Sequence, residues 1–176
     1  LGVIRPTTET IGNFSKTKSV GILATNGTVA SDSYPVEIAK FFPEIKVYQE
    51  ACPLWVPLIE NNEHQNGGAD FFVQKNLENI FRKGSDIDVI LLGCTHYPLL
   101  NEKIQKYLPP GVKLISQGEI VADSLADYLQ RHPEIETKCS KNGSRIFYTT
   151  DSTEDFDNHA TIFFGEGVRS RHVDLA

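Results

Sequence analysis

The 176-residue sequence contains no methionine, a single tryptophan and only three cysteines. Cys52, Cys94 and Cys139 are odd in number and widely spaced, which excludes a disulfide framework and fits a reducing, cytoplasmic setting. No Cys-x-x-Cys or His-x-x-x-His pair occurs, and His64, His132, His159 and His172 are scattered, so no metal centre is expected. No apolar run approaches the roughly 18 residues of a membrane span. No basic stretch followed by an apolar segment opens the chain, so no secretory signal is visible. Basic residues are outnumbered 17 to 23 by acidic ones, and the net charge of −6 argues against nucleic acid or an anionic membrane as the main partner. Neither a P-loop nor a Gly-x-Gly-x-x-Gly pattern is present, so there is no nucleotide fingerprint. The missing methionine also means that the chain does not start where translation would; it reads as a piece of a longer protein.

What remains is ordinary globular composition, 40% hydrophobic and 23% charged, in a chain long enough for a real core. The runs Lys18–Thr25 and Asp88–Leu92 read as buried strands, with short strands at Ile45–Tyr48, Val112–Ile115 and Arg145–Thr149. Leu1–Ile4 reads as a further strand, and one more includes Val173 and Leu175. Helical spacing is expected after the N-cap candidates Ser31 and Asp32, through Phe72–Phe81, over Leu99–Leu108, over Ile120–Leu129, and through Phe156–Phe164. The two prolines of Ala51–Glu60 forbid a regular internal strand, and that stretch reads as irregular. Thr137–Ser144 reads as a polar hinge or surface loop. Strands alternating with helices imply an α/β fold, a mostly parallel open sheet with helices on both faces.

Gly93-Cys94-Thr95-His96-Tyr97-Pro98 stands out because it follows the bare apolar run Val89–Leu92. A strand buried on both faces would deliver these residues to the carboxyl edge of the sheet, where open α/β folds bind ligands. Cys94 and His96 lie two apart, so extended backbone would point both side chains the same way. An imidazolium beside a thiol lowers its pKa, and a helix beginning near Pro98 would push in the same direction. The alternative is a buried, inert Cys94 beside a hydrogen-bonded loop histidine. Thr25-Asn26-Gly27-Thr28 falls at the same sheet edge and offers amides and hydroxyls to an anion, or is a plain strand-to-helix turn. Glu60, ending an apolar stretch, is a poised carboxylate or simply a solvated terminus. Cys52 reads as a structural thiol and Cys139 as an exposed loop thiol.

These residues resemble a known family. Gly93-Cys94-Thr95-His96-Tyr97-Pro98-Leu99-Leu100 is similar to the second cysteine motif of bacterial glutamate racemases, which are cofactor-independent amino-acid racemases of cell-wall synthesis. Leu1-Gly2-Val3-Ile4-x-Pro6, Gly21–Thr28, Ala51–Glu60 and the ending Phe147–Leu175 resemble the same family in order and spacing, with Arg5 where an acidic residue is more usual. The family's Asp-Ser-Gly and Cys-Asn-Thr motifs of the first lobe are absent. The resemblance implies residues 1–116 as the second lobe of a two-lobe racemase-like fold. Residues 117–176 would then complete the missing first lobe, which becomes a partner. It implies L- and D-glutamate as ligands, no cofactor, catalysis by Cys94 assisted by His96 and Glu60, and substrate binding by Thr95, His96 and Thr28. This piece alone would be inactive, and its segment from about Ile120 would expose apolar surface. The oligomeric state is left open, a homodimer included, as is a related racemase or isomerase acting on aspartate or another small acid.

Overall fold

Ser19–Ala24 has every side chain buried, so it can only be an interior strand; this is β1. Around it, in chain order, run α1 (Ile4–Thr8), α2 (Asn26–Ala30), α3 (Ser33–Phe41), β2 (Lys46–Ala51), α4 (Trp55–Glu60), α5 (Gly67–Lys83), β3 (Val89–Leu92), α6 (Asn101–Tyr107), β4 (Lys113–Ile115) and α7 (Gln117–Arg131). The remaining elements are α8 (Pro133–Glu136), β5 (Phe147–Thr149), α9 (Thr153–Phe164) and β6 (Ser170–His172). These come from a computed structural model that describes residues 2–141 and 143–175. The chain forms two compact units, one up to Tyr128 and one from Leu129.

In the first unit the strand order is β2-β1-β3-β4, all pairs parallel, with Val20 opposite both Val47 and Val89, and Ile90 opposite Leu114. Every carboxyl end therefore opens on one edge. β3 is buried throughout, as its uninterrupted aliphatic run requires. Parity divides the strands between two cores. Leu23, Ile90 and Leu92 meet Trp55, Ile59, Val73, Leu77, Ile80 and Ile104 on one face. Val20, Ile22, Ala24, Val89 and Leu91 meet Ile11, Tyr34 and Ile38 on the other. Helices cover both faces, and the α/β class with a parallel sheet is the observed one.

Three local expectations are corrected. Ile4 begins a helix and is not part of a strand; Leu1 lies outside the described residues. Trp55–Glu60, expected to be irregular, is also helical. Proline sits at the third position of α1, α3 and α4, as Pro6, Pro35 and Pro57. Backbone N–H groups in a first turn have no partner inside the helix, so proline costs nothing there. Asn26-Gly27, expected as a turn, is the start of α2, capped by Thr25 Oγ1 accepting from the Thr28 amide. Asp32 precedes α3 in a left-handed conformation with φ 50° and makes no cap bond; its carboxylate accepts from Gln49 Nε2 at 2.7 Å.

A buried carboxylate ties the sheet edge to α5. Glu50 of β2 accepts from Asn76 and Asn79 Nδ2 at 3.0 Å each and from Lys83 Nζ at 2.7 Å. Burial alone would raise this carboxyl, but the bonds from Lys83, Asn79 and Asn76 outweigh it and hold it below the usual range.

The second unit pairs β5 with β6 in parallel, Tyr148 opposite Arg171. Ser152 caps α9 by accepting from the Asp155 amide at 3.2 Å, and Gly165 ends it at φ 77°, a left-handed position that suits glycine. Phe147 and Phe164 meet edge to face at 5.5 Å. The last strand lies slightly earlier than expected; Val173 only donates its amide to the Thr149 carbonyl at 2.9 Å. Asn142, within the expected polar loop, lies outside the described residues.

Candidate active site

β3 and β1 leave the sheet side by side. The Gly93 amide still donates to the Leu23 carbonyl at 2.8 Å, one rung past the strand. A Cβ on Gly93 would come within 3.0 Å of the Tyr34 ring and 3.1 Å of the Ala24 methyl, so only glycine fits without displacement. The next residue, Cys94, packs half-buried against the core that holds Leu92 and Trp55.

From Cys94 the chain turns at once. The Cys94 carbonyl accepts from the Tyr97 amide at 3.3 Å, and Tyr97–Leu100 forms a short 3₁₀ turn with proline near its start. Cys94 and His96 thus meet across a tight turn and not along extended backbone as expected. Cys94 Sγ lies 3.9 Å from His96 Nδ1, and His96 Nε2 lies 3.2 Å from Glu60 Oε1 at the end of α4. A carboxylate facing Nε2 favours the tautomer protonated there, leaving the Nδ1 lone pair towards the thiol.

The thiol's electrostatics differ from expectation. Burial raises the Cys94 pKa; the amides of His96 and Tyr97 lower it without prevailing, and the Glu60 charge raises it further. Its surroundings therefore favour the neutral thiol, with the His96 ring nitrogen 3.9 Å away. Cys52 is fully buried and pushed up more strongly, first by burial. Its Sγ–H points at the Glu50 carbonyl, 3.7 Å away, as a structural thiol's would. Cys139 is exposed.

Beside Cys94 opens a cavity of about 190 Å³ walled by Val3, Cys94, Thr95, Pro98, Gln117 and Val121. Of the residues singled out from sequence, Cys94, His96 and Glu60 form one contiguous chain of contacts, and Thr95 shares the cavity wall with Cys94. Thr28 lies at the neighbouring strand's exit, its hydroxyl 3.1 Å from that of Thr25. Gln117 was not anticipated. The apolar periodicity begins only at Ile120, and a polar residue ahead of it gives no signal; the helix in fact starts at Gln117. Among the described residues no three His, Cys, Asp or Glu side chains converge as a metal site, and no helix is long and apolar enough to cross a membrane.

The first unit is thus a parallel α/β unit that presents a thiol, an imidazole and a carboxylate together at the carboxyl edge of its sheet. The chain is a member of the Asp/Glu/Hydantoin racemase family, whose model matches residues 1–125. It is 34% identical over 176 residues to a glutamate racemase of Lactiplantibacillus plantarum, covering 99% of this chain and 64% of that protein. The crystal structure of a glutamate racemase isoform from Bacillus anthracis superposes with a TM-score of 0.86 at 30% identity, covering 99% of this chain and 64% of the other. A Francisella tularensis glutamate racemase, solved in complex with D-glutamate, gives 0.82 at 29% identity over 99% and 62%. The chain thus spans just under two thirds of the length of these relatives.

Proposed function

We propose that this chain carries one acid/base face of a glutamate racemase, with Cys94 as its proton-transfer group. The observation that carries the reading is Cys94 Sγ at the wall of a cavity with His96 Nδ1 3.9 Å away. Inversion at the α-carbon needs a base on one side and an acid on the other. The Cys94 proton passes to His96, whose positive charge the Glu60 carboxylate stabilises. The thiolate then takes the α-proton of L-glutamate, and an acid on the opposite face delivers a proton to the carbanion. In the reverse direction Cys94 is the donor. Thr95 and Thr28 offer hydroxyls and amides to the substrate carboxylates, and exclusion of water strengthens those bonds as charge develops.

In this reading the opposite acid is supplied by the family's other lobe, whose cysteine motif these residues lack; Cys52 is sealed in the core. Residues 1–116 are then one lobe, and residues 117–176 complete another. Exposed Ile146, Tyr148, Phe163 and Leu175 support the latter, because such side chains suit a covered surface. The reading is cofactor-independent, cytoplasmic, and directed to D-glutamate for the bacterial cell wall.

The test replaces the matching region of the Lactiplantibacillus plantarum relative with this chain. The chimera should interconvert L- and D-glutamate, Cys94→Ala should abolish turnover, and the 176-residue chain alone should be inactive. Preference for aspartate, or full activity of the Cys94→Ala chimera, would sink the proposal.

A further inference from the structure

β4 stops one rung short of β3. Leu91 is opposite Ile115, but Leu92 has no strand partner on that side, and its carbonyl would be left at the point where the chain turns towards Cys94. Gln117 fills the gap with its side chain: Nε2 donates to the Leu92 carbonyl at 3.0 Å. The same carboxamide is held from behind. Its Oε1 accepts from Thr7 Oγ1 at 3.3 Å, and the carboxamide faces the buried Tyr34 hydroxyl. Thr7 and Tyr34 are both essentially inaccessible to solvent. Accepting from the Thr7 hydroxyl fixes which end of the amide is oxygen and aims the nitrogen at Leu92. One polar side chain thus links α1 and α7 to the last residue of β3, while lining the cavity beside Cys94.

We infer that Gln117 is a positioning residue, which through the Leu92 carbonyl fixes where the β3 exit places the Cys94 thiol. This deepens the proposed role of Cys94 and rests on it. The intervening Gly93 is itself tethered, its amide donating to the Leu23 carbonyl at 2.8 Å with Tyr34 beside it, so a shift at Leu92 is passed on to Cys94.

The test is the pH dependence of iodoacetamide alkylation at Cys94 in the 176-residue chain, followed by mass spectrometry, with exposed Cys139 as internal reference. The groups facing Cys94 are His96, Tyr97, Glu60 of α4, Tyr34 of α3 and Cys52; all are retained in the variants used. Gln117→Met keeps the length of the side chain and removes its hydrogen bonds. A freed exit lets water reach the thiol, so the Cys94 midpoint should fall by half to one pH unit, giving roughly three- to tenfold faster alkylation below the midpoint. Thr7→Val, isosteric and outside the cavity wall, should shift it the same way by a smaller amount, and decides the matter if Gln117→Met does not fold. A Cys94 profile unchanged relative to Cys139 in the folded variants would overturn the inference. No readout depends on turnover, so that result would leave the proposed racemisation standing, and an inactive chimera would leave this one standing.

Discussion

Replacing Glu50 with alanine is the most direct probe of what holds the carboxyl edge of the sheet in place. The side chain accepts three charge-assisted hydrogen bonds, each of a kind worth about 1.5–3 kcal/mol. Not all of that is lost. The Lys83 side chain is 48% exposed and rehydrates, and Asn76 keeps a second bond to the Ala51 carbonyl at 3.1 Å. The net cost should be about 3 kcal/mol, at the lower end for a broken buried pair. With a urea slope of about 1.5 kcal/mol/M, the midpoint falls by about 2 M. Trp55 makes the assay specific. It is the single tryptophan, buried in the core that α5 helps to build, so its fluorescence reports the first unit alone. Acid supplies a second arm. The folded Glu50 carboxyl lies below its ordinary value, so its contribution is fully present above the unfolded pKa of about 4.3 and is lost as pH falls through the lower folded value. Glu50→Gln should therefore lose less stability between neutral pH and pH 3 than the parent does. A midpoint shift below about 0.3 M for Glu50→Ala, where the expected cost is several-fold larger, would show that the network contributes nothing net.

The other expectations concern the neighbourhood of the thiol. Gly93→Ala should cost about 1–3 kcal/mol by overpacking against Tyr34 and Ala24, read by the same fluorescence midpoint; an unchanged midpoint would mean that the Tyr34 ring moves aside freely. The three thiols should react in the order Cys139, Cys94, Cys52 at neutral pH, with Cys52 unmodified until the chain unfolds. Because burial raises the Cys94 pKa, its rate should still be climbing above pH 8.5, where an ordinary thiol is already half ionised. A plateau below pH 8 would contradict the placement of that thiol.

How much of this was legible beforehand depended on whether the cause was local. β1 and β3 were readable because a strand buried on both faces has no polar residues to interrupt its run. The pairing of Cys94 with His96 followed from a two-residue spacing, although the turn that joins them was mistaken for extended chain. α1 was missed because Leu1–Ile4 reads as a short apolar strand, and α4 because its prolines were counted only against a strand, when the third helical position tolerates proline. Glu60 was seen as a carboxylate at a border, but only the fold of α4 puts it at His96 Nε2. Glu50 and Gln117 gave no sign at all. Their partners lie 26 to 33 and 25 to 110 residues away, and nothing in the flanking sequence specifies a bond across such separations.

A strand greasy on both sides carries no polarity label to say which side is which. In β3 the even-numbered residues join one core and the odd-numbered residues the other, and Cys94 continues the even row. Sliding that segment by a single residue would bury just as much oil, yet turn the sulfur to the wrong side of the sheet. Shape helps to police the difference: at Gly21 a methyl would sit 2.6 Å from the tip of Ile90, so the observed alignment needs the flat spot that glycine leaves there. Which side of the sheet receives the sulfur is thus stored partly in volumes, and a mutation that merely fattens or thins this ribbon endangers that placement before it endangers the fold.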